Sequence, residues 1–213
     1  MSFEYIIFDL DNTLYPRDSG VMGEIGRRIQ AWLCDRLGLT WQEAVDLRRD
    51  YLNRHGTTMG GLMTEHDIEV DEYLDFVHDI PIEDYLTTDP ALVQMLKKIP
   101  LRKVIYTNAT SEHGRRVLQA LGVVDQFECI IGIEEVGLRN KFNREAYTRV
   151  LALLKTAGPA CIMVEDSARN LQPAKELGLT TILVDGEDEV SADFSVKSVL
   201  EVGQVVNRLL GRP

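Results

Sequence analysis

The chain has few cysteines and no long apolar run, and each shortage excludes a class of protein. Its three cysteines, Cys34, Cys129 and Cys161, lie far apart and form no C-x-x-C pair, so they predict neither a disulfide framework nor a cysteine-rich zinc site. We interpret them as reduced, buried packing residues, which is typical of a cytoplasmic protein. No apolar run approaches the ~18 residues of a membrane span, and the amino end has no signal-peptide pattern.

Basic residues are also in short supply. The 213 residues contain 34 Asp and Glu against 23 Lys and Arg, a formal net charge of −11. A surface that binds nucleic acid or anionic lipid needs positive charge, so we expect neither a nucleic-acid nor a membrane partner. The remaining expectation is a globular protein with a sizeable core, since 45% of its residues are hydrophobic. Composition leaves the oligomeric state open.

Short apolar runs alternate with helical patterns through most of the chain. We predict strands over residues 5–8, 103–107, 129–132, 161–164 and 180–184. Helices are predicted over residues 111–121, 143–155, 171–177 and 198–210. Strands that alternate with helices predict a parallel sheet wound in βαβ units, and therefore an α/β fold.

The stretch from residue 19 to residue 78 departs from this alternation, because its pattern is helical. A loop is expected over residues 55–61, and Trp32 and Trp41 are expected in the core of this part. We interpret it as an inserted helical cap, residues 16–88, within a discontinuous core of residues 1–15 and 89–213.

Three of the predicted strands end in polar side chains suited to catalysis. These are Asp9 and Asp11 after the first strand, Thr107-Asn108 after the second, and Glu165-Asp166 after the fourth. Ligands of parallel α/β sheets bind beyond the carboxyl ends of the strands, so we expect these side chains to share one site.

These residue types fit phosphoryl transfer. Asp9 can attack phosphorus as a nucleophile, and Asp11 can protonate the leaving oxygen and then activate water. Thr107 and Asn108 can donate to phosphoryl oxygens, and Lys141 adds a fixed positive charge. Because Mg²⁺ prefers oxygen ligands, we expect it at Asp9 and Asp166, with Glu165 as a further candidate ligand.

Each piece also has a plain structural interpretation. An Asp-x-Asp pair is commonly a solvated turn, a lone lysine is commonly surface, and Glu165-Asp166-Ser167 could simply begin a helix. Their joint order at strand ends favours catalysis over these alternatives.

Taken together, the motifs resemble those of the haloacid dehalogenase superfamily of hydrolases. The matching segments are residues 8–14, 106–108, 141 and 164–167. The resemblance implies a Rossmann-like core with a helical cap inserted after the first motif. It also implies that Mg²⁺ contacts the carboxylates of Asp9 and Asp166 and the backbone carbonyl of Asp11. The dehalogenase branch has a non-acidic residue two positions after the nucleophile, so Asp11 favours phosphatase chemistry.

A closer resemblance, to the pyrimidine 5′-nucleotidase subfamily, extends through the helical stretch. It is carried by residues 14–16, 51–62 and 72–78. It implies hydrolysis of a nucleoside 5′-monophosphate, with Tyr51, His55, Thr57 and Thr58 as candidate substrate-binding residues. Tyr51 and His55 could instead pack as a helical pair. The chain departs from the subfamily at Phe142, where proline is usual, and this change is expected to loosen the turn that carries Lys141.

Two other functions stay open at this point. The same fold could serve a sugar-phosphate or phosphoglycolate phosphatase, or a phosphomutase whose cap excludes water. A catalytically inactive binding or regulatory protein is a remote alternative, because Asp9, Asp11, Thr107, Lys141 and Asp166 are all present.

Overall fold

The computed structural model describes residues 3–185 and 192–212, and the chain divides into two compact units. One unit comprises Met1–Pro16 and Leu86–Pro213, and the other comprises Arg17–Tyr85. The first unit contains the β-sheet with its helices, and the second is helical.

The sheet belongs to the discontinuous unit, and every pairing between its described strands is parallel. The strands are β1 (Tyr5–Phe8), β2 (Arg102–Tyr106), β3 (Cys129–Ile131), β4 (Cys161–Glu165), β5 (Thr180–Val184) and β6 (Phe194–Val196). Their order across the sheet is β3-β2-β1-β4-β5-β6. The predicted α/β fold with a parallel sheet is therefore confirmed. The edge strand β6 was not predicted, because its sequence Phe-Ser-Val is interrupted by a polar serine and forms no continuous apolar run.

The central strands are buried along their whole length. All four residues of β1 and all five of β4 are buried. Strands covered on both faces have continuous apolar sequences without alternation, and Tyr-Ile-Ile-Phe in β1 is such a run. Because β1 pairs with β2 on one side and β4 on the other, the carboxyl ends of these three strands are neighbours.

The α-helices of the described residues are α1 (Val21–Leu37), α2 (Trp41–His55), α3 (Thr58–Glu65), α4 (Val70–His78), α5 (Pro90–Lys98), α6 (Ser111–Ala120), α7 (Arg144–Leu154), α8 (Ala168–Glu176) and α9 (Val202–Leu209). In the sheet-containing unit, α6 packs on β3 and α8 packs on β4 and β5. Among the described helices, none has both the length and the apolar character needed to span a membrane.

Helix α5 begins at Pro90, although proline is common in turns. The carboxylate of Asp89 accepts hydrogen bonds from the amides of Ala91 and Leu92 at 2.9 and 3.1 Å, which caps the helix. Proline suits the first helical position because its missing N–H would have no partner there. Pro90 therefore begins a helix here and does not mark a turn.

The loop expected over residues 55–61 is also wrong. Only Gly56 and Thr57 separate α2 from α3. The hydroxyl of Thr57 accepts a hydrogen bond from the amide of Gly60 at 3.0 Å and caps α3. Gly61 lies within this helix. Glycine is needed there because a Cβ atom would clash with the ring of Tyr51. Gly61 therefore allows close helix packing, which glycine-rich composition alone does not distinguish from a loop.

Two expectations about packing residues hold only in part. Trp32 is buried and meets the ring of Tyr73 edge-on at 5.1 Å, but Trp41 is 49% exposed at the start of α2, so its predicted core position is wrong. All three cysteines are free thiols, yet only Cys161 is buried. Cys34 and Cys129 are half-buried, which corrects the expectation that all three pack inside.

The close approach of Gly61 to Tyr51 predicts a stability effect. Gly61→Ala should lower the free energy of unfolding by about 1–3 kcal/mol, because the added methyl group overpacks the site. Gly23→Ala is the matched control, because nothing lies within 4 Å of a Cβ atom at Gly23 on α1. It should be neutral or stabilising by up to about 1 kcal/mol. Urea denaturation measures both; equal midpoints for the two variants would contradict the packing role of Gly61.

Candidate active site

The site lies at the carboxyl ends of the three central strands. Asp9 follows β1, Thr107 follows β2, and Glu165 is the last residue of β4. The amide of Asp9 donates to the carbonyl of Val164 at 2.8 Å, so the sheet pairing continues to the residue that carries the carboxylate. The strands therefore bring together side chains that lie more than 150 residues apart in the sequence.

The turn after β1 directs the side chain of Thr13 back towards the site. Asn12 has a left-handed backbone with φ 61°, which asparagine tolerates better than most residues. The amides of Thr13 and Leu14 then donate to the carbonyl of Leu10 at 3.3 and 3.0 Å. This turn lets the Thr13 hydroxyl donate to Asp9 Oδ2 at 2.8 Å.

Lys141 connects all of these segments. Its Nζ donates to Asp9 Oδ1 and, at 2.8 Å, to Glu165 Oε2. Its backbone amide donates to Asn108 Oδ1 at 3.0 Å. The side chains of Lys141 and Glu165 are each 1% exposed, so this ion-pair cluster is almost fully withdrawn from water. The Nζ also lies 5.1 Å from the centre of the Tyr106 ring.

Glu165 is held on both of its oxygens. Oε2 accepts from Lys141, and Oε1 accepts from the amide of Ser167 at 3.2 Å and from Asn170 Nδ2 at 3.1 Å. These contacts tie the start of α8 to the end of β4. Glu165 thereby orients the segment that carries Asp166.

Burial governs the protonation of this cluster. It raises the pKa of Asp9 to about 7, Glu165 adds to the rise, and Lys141 opposes it. Burial likewise raises the pKa of Glu165 to about 7, against the pull of Lys141. Burial alone would lower the pKa of Lys141, but the two carboxylates outweigh it and raise that pKa, so the ammonium stays charged.

The acidic cluster fits a divalent metal ion. Asp9, Glu165 and Asp166 each offer a carboxylate oxygen, and these oxygens lie within 4.8 Å of one another. A hard cation such as Mg²⁺ prefers an all-oxygen set and needs only one or two protein carboxylates. Burial raises the pKa values of Asp9 and Glu165, neighbouring carboxylates add to the rise, and a divalent cation would offset this repulsion.

Asp11, the expected proton donor and acceptor, has two buried neighbours on one oxygen. The Tyr15 hydroxyl donates to Asp11 Oδ1 at 2.5 Å, and His113 Nε2 lies 3.4 Å from the same atom. Tyr15 is 2% exposed and His113 is 1% exposed. Burial, and then the charge of Asp11, raise the pKa of Tyr15, so its hydroxyl keeps its proton and acts as a donor.

The predicted site residues Thr107 and Asn108, and the turn at Phe142, are held by backbone hydrogen bonds. The Thr107 hydroxyl accepts from the amide of Ala109 at 3.0 Å, and Asn108 holds the backbone of Lys141. The turn at Phe142 is closed without proline, because the amide of Phe142 donates to Asn140 Oδ1 at 3.1 Å. The guanidinium of Arg169 stacks 3.6 Å above the Phe142 ring. Lys141 is therefore in place despite this departure.

The four candidate residues of the helical unit have different surroundings. Tyr51 is fully buried, and its hydroxyl contacts Glu65 and His66 at 3.1 and 2.9 Å. Its ring meets that of His55 edge-on at 5.7 Å, as expected for a helical pair. Thr57 caps α3. Thr58 is buried, and its hydroxyl oxygen has no hydrogen-bond partner among the described residues.

Sequence reasoning missed Thr13, Tyr15 and His113 as site residues. Thr13 and Tyr15 lie four residues from the two aspartates they contact, a spacing that would have placed them nearby only if the turn at Asn12 had been foreseen. His113 lies 102 residues from Asp11, and no local signal marks it.

The chain is thus an α/β protein with a buried lysine among carboxylates at the carboxyl edge of its parallel sheet. A sequence model of the haloacid dehalogenase-like hydrolases matches residues 3–178, and the chain belongs to this family.

Named relatives extend the comparison over nearly the whole chain. "Phosphate metabolism protein 8" of Saccharomyces cerevisiae is 25% identical, covering 97% of this chain and 73% of its own length. "Glyceraldehyde 3-phosphate phosphatase" of Methanocaldococcus jannaschii is 24% identical, covering 96% and 97% respectively. The fold is similar to that of a HAD phosphatase from Thermococcus onnurineus, with a TM-score of 0.67, 19% identity and 98% of each chain covered.

The raised pKa values predict how pH acts on the metal-free protein. Asp9 and Glu165 bind protons more tightly in the folded chain, at about 7, than at their ordinary values of 3.8 and 4.5. Stability should therefore fall as pH rises through this window. Mg²⁺ competes with these protons, so the increase in Tm that it produces should be larger at about pH 8 than at about pH 5. Thermal denaturation with and without Mg²⁺ checks both trends.

Two variants make this test specific. Asp166→Asn should remove most of the Mg²⁺-dependent increase in Tm, because it removes one carboxylate of the cluster. Asp125→Asn, an exposed carboxylate in the same unit, should keep the full increase. An increase that is independent of pH, or that survives in Asp166→Asn, would argue against a metal site at this cluster.

Proposed function

We propose that this hydrolase is a Mg²⁺-dependent phosphomonoester hydrolase that works through an aspartyl-phosphate. The observation that carries the proposal is the environment of Asp9, a buried carboxylate bound by Lys141 on one oxygen and by Thr13 on the other. Asp11, two residues on, supplies the proton donor that phosphate esters require and that halide departure does not.

The proposed cycle has two displacements at phosphorus. A carboxylate oxygen of Asp9 bonds to phosphorus while the ester P–O bond breaks, and Asp11 gives its proton to the leaving alkoxide. Water then attacks the same phosphorus, Asp11 accepts its proton, and the bond to Asp9 breaks to release inorganic phosphate. Thr107, Asn108 and Lys141 are proposed to stabilise the phosphoryl oxygens.

Asp9, Asp166 and the backbone carbonyl of Asp11 are the proposed metal ligands, with Glu165 beside them. When bound, Mg²⁺ would offset negative charge on the carboxylates and on the phosphoryl group. Glu165 already contacts Lys141, Ser167 and Asn170, so we assign it the role of orienting the cluster.

The helical unit, Arg17–Tyr85, is proposed to be the cap that selects the substrate. Core residues recognise the phosphoryl group that all candidate substrates share, so selectivity needs other residues. The contacts of Tyr51 and Thr57 favour structural roles for these two. Thr58, with its unpartnered hydroxyl, and His55 are the better candidates for substrate contact.

A nucleoside 5′-monophosphate is our first candidate substrate, supported by the resemblance over residues 14–16, 51–62 and 72–78. A small sugar phosphate is the second candidate, because a relative matched over nearly its full length is named glyceraldehyde 3-phosphate phosphatase. Phosphate release from nucleoside monophosphates, sugar phosphates and phosphoglycolate separates them. Rearrangement of a sugar phosphate without phosphate release would identify a mutase instead.

Asp9→Asn should reduce the hydrolysis of a generic aryl phosphate to below about 1% of wild type, because it removes the nucleophile. Circular dichroism should show that the variant stays folded. Asp125→Asn should keep full activity and serves as the matched control. Turnover by Asp9→Asn well above this level would exclude Asp9 as the nucleophile.

Thr58→Val should lower kcat/KM for the best metabolite by up to about tenfold, the contribution of one hydrogen bond. It should leave a small aryl phosphate unaffected and should not destabilise the fold, since the buried hydroxyl loses no partner. Thr64→Val on the same helix is the control, because that hydroxyl donates to the carbonyl of Gly60 at 2.7 Å. Equal losses on both substrates would assign Thr58 a structural role.

A further inference from the structure

The carboxylate of Asp11 is contacted on Oδ1 by two buried side chains from different elements. Tyr15, at the end of the turn after β1, donates its hydroxyl to Oδ1 at 2.5 Å. His113, in the first turn of α6, brings Nε2 to 3.4 Å from the same oxygen. We refer to these two contacts as the Asp11 clamp.

A hydrogen bond to Oδ1 restricts how the carboxyl group of Asp11 can rotate. The Tyr15 hydroxyl donates to this oxygen, and His113 Nε2 lies near the same atom. Because the two side chains come from separate parts of the core unit, together they restrict the plane of the carboxyl group.

Neither clamp residue can turn towards water as an ordinary surface side chain would. Tyr15 is 2% exposed, and the side chain of His113 is 0% exposed. Tyr15 follows Asp11 by four residues through the turn at Asn12, whose backbone is left-handed at φ 61°. The contact between Tyr15 and Asp11 is therefore set by the same turn that orients Thr13 towards Asp9.

We propose that Tyr15 and His113 are positioning residues that hold the carboxyl group of Asp11 in the orientation in which it exchanges protons. This inference rests on the proposed phosphatase function and deepens it. The clamp would act wherever a proton moves: when Asp11 protonates the leaving alkoxide, and when it accepts a proton from the attacking water. It would not act on the bond between Asp9 and phosphorus.

Leaving groups of different basicity separate this role from a purely structural one. An alkoxide leaves only with a proton, whereas the anion of a strongly acidic nitrophenol leaves without one. For Tyr15→Phe, kcat/KM with an alkyl phosphate should fall about tenfold or more. With 2,4-dinitrophenyl phosphate it should fall by less than about threefold. The loss on the alkyl phosphate should appear in kcat with KM little changed, as for an interaction made only in the transition state.

Tyr5→Phe is the matched control. Tyr5 is as buried as Tyr15, and its hydroxyl donates to the carbonyl of Leu154 at 3.3 Å and makes no contact with Asp11. Both variants lose one buried hydroxyl, so both should show a similar change in Tm. Only Tyr15→Phe should show the dependence on the leaving group.

A double-mutant cycle isolates the coupling to Asp11. In the Asp11→Asn background, Tyr15→Phe should cause no further loss with either substrate, because the proton that it positions is gone. For His113, the Gln variant keeps a hydrogen-bonding group near the Nε2 position and should retain more alkyl-phosphate activity than the Leu variant.

The outcomes are distinguishable. If wild type releases no phosphate from either ester, or Asp9→Asn remains active, the proposed function fails and this inference fails with it. If wild type is active and Asp9→Asn is not, but Tyr15→Phe loses equally on both esters or on neither, only the clamp is overturned. A further loss from Tyr15→Phe in the Asp11→Asn background would likewise overturn it.

Discussion

The arrangement of the site depends on one buried ammonium group, that of Lys141, between two buried carboxylates. Asp9 and Glu165 end neighbouring strands, and their negative charges would repel each other in a region withdrawn from water. Removing one member of such a cluster leaves an uncompensated buried charge, which costs about 3–5 kcal/mol. Because the backbone of Lys141 is also held by Asn108, the same residue joins the segments after β1 and β2 to the end of β4.

This cluster leaves the site with more negative than positive charge. Asp166 lies beside Asp9 and Glu165, and one lysine does not offset all three carboxylates. A divalent cation would supply the missing positive charge, and a phosphoryl group would then meet a less negative surface. Burial, and then the charge of Glu165, raise the pKa of Asp9 even though Lys141 is in direct contact with it. The stability of the cluster and the proposed metal dependence would thus both follow from the same charge balance.

The two aspartates after β1 have different environments although only one residue separates them. Asp9 is buried and bound by Lys141 and Thr13, which suits a carboxylate that forms a bond to phosphorus. Asp11 is half-buried and is contacted by Tyr15 and His113, which suits a group that exchanges protons. The left-handed backbone of Asn12 permits both sets of contacts. Local backbone geometry therefore gives the two aspartates the different environments that their proposed roles require.

From its own sequence, the chain could be assigned a parallel sheet, polar strand ends and the identity of Asp9, Asp11, Lys141 and Asp166 as candidates. These follow from short-range features: apolar runs, capping residues and motifs of a few residues. Helix α3 was misassigned, because glycine in a helix depends on the Tyr51 ring from another element. The contact of His113 with Asp11 joins positions 102 residues apart. Only the tertiary structure decides such contacts, because strand pairing and burial, not local propensity, bring these side chains together.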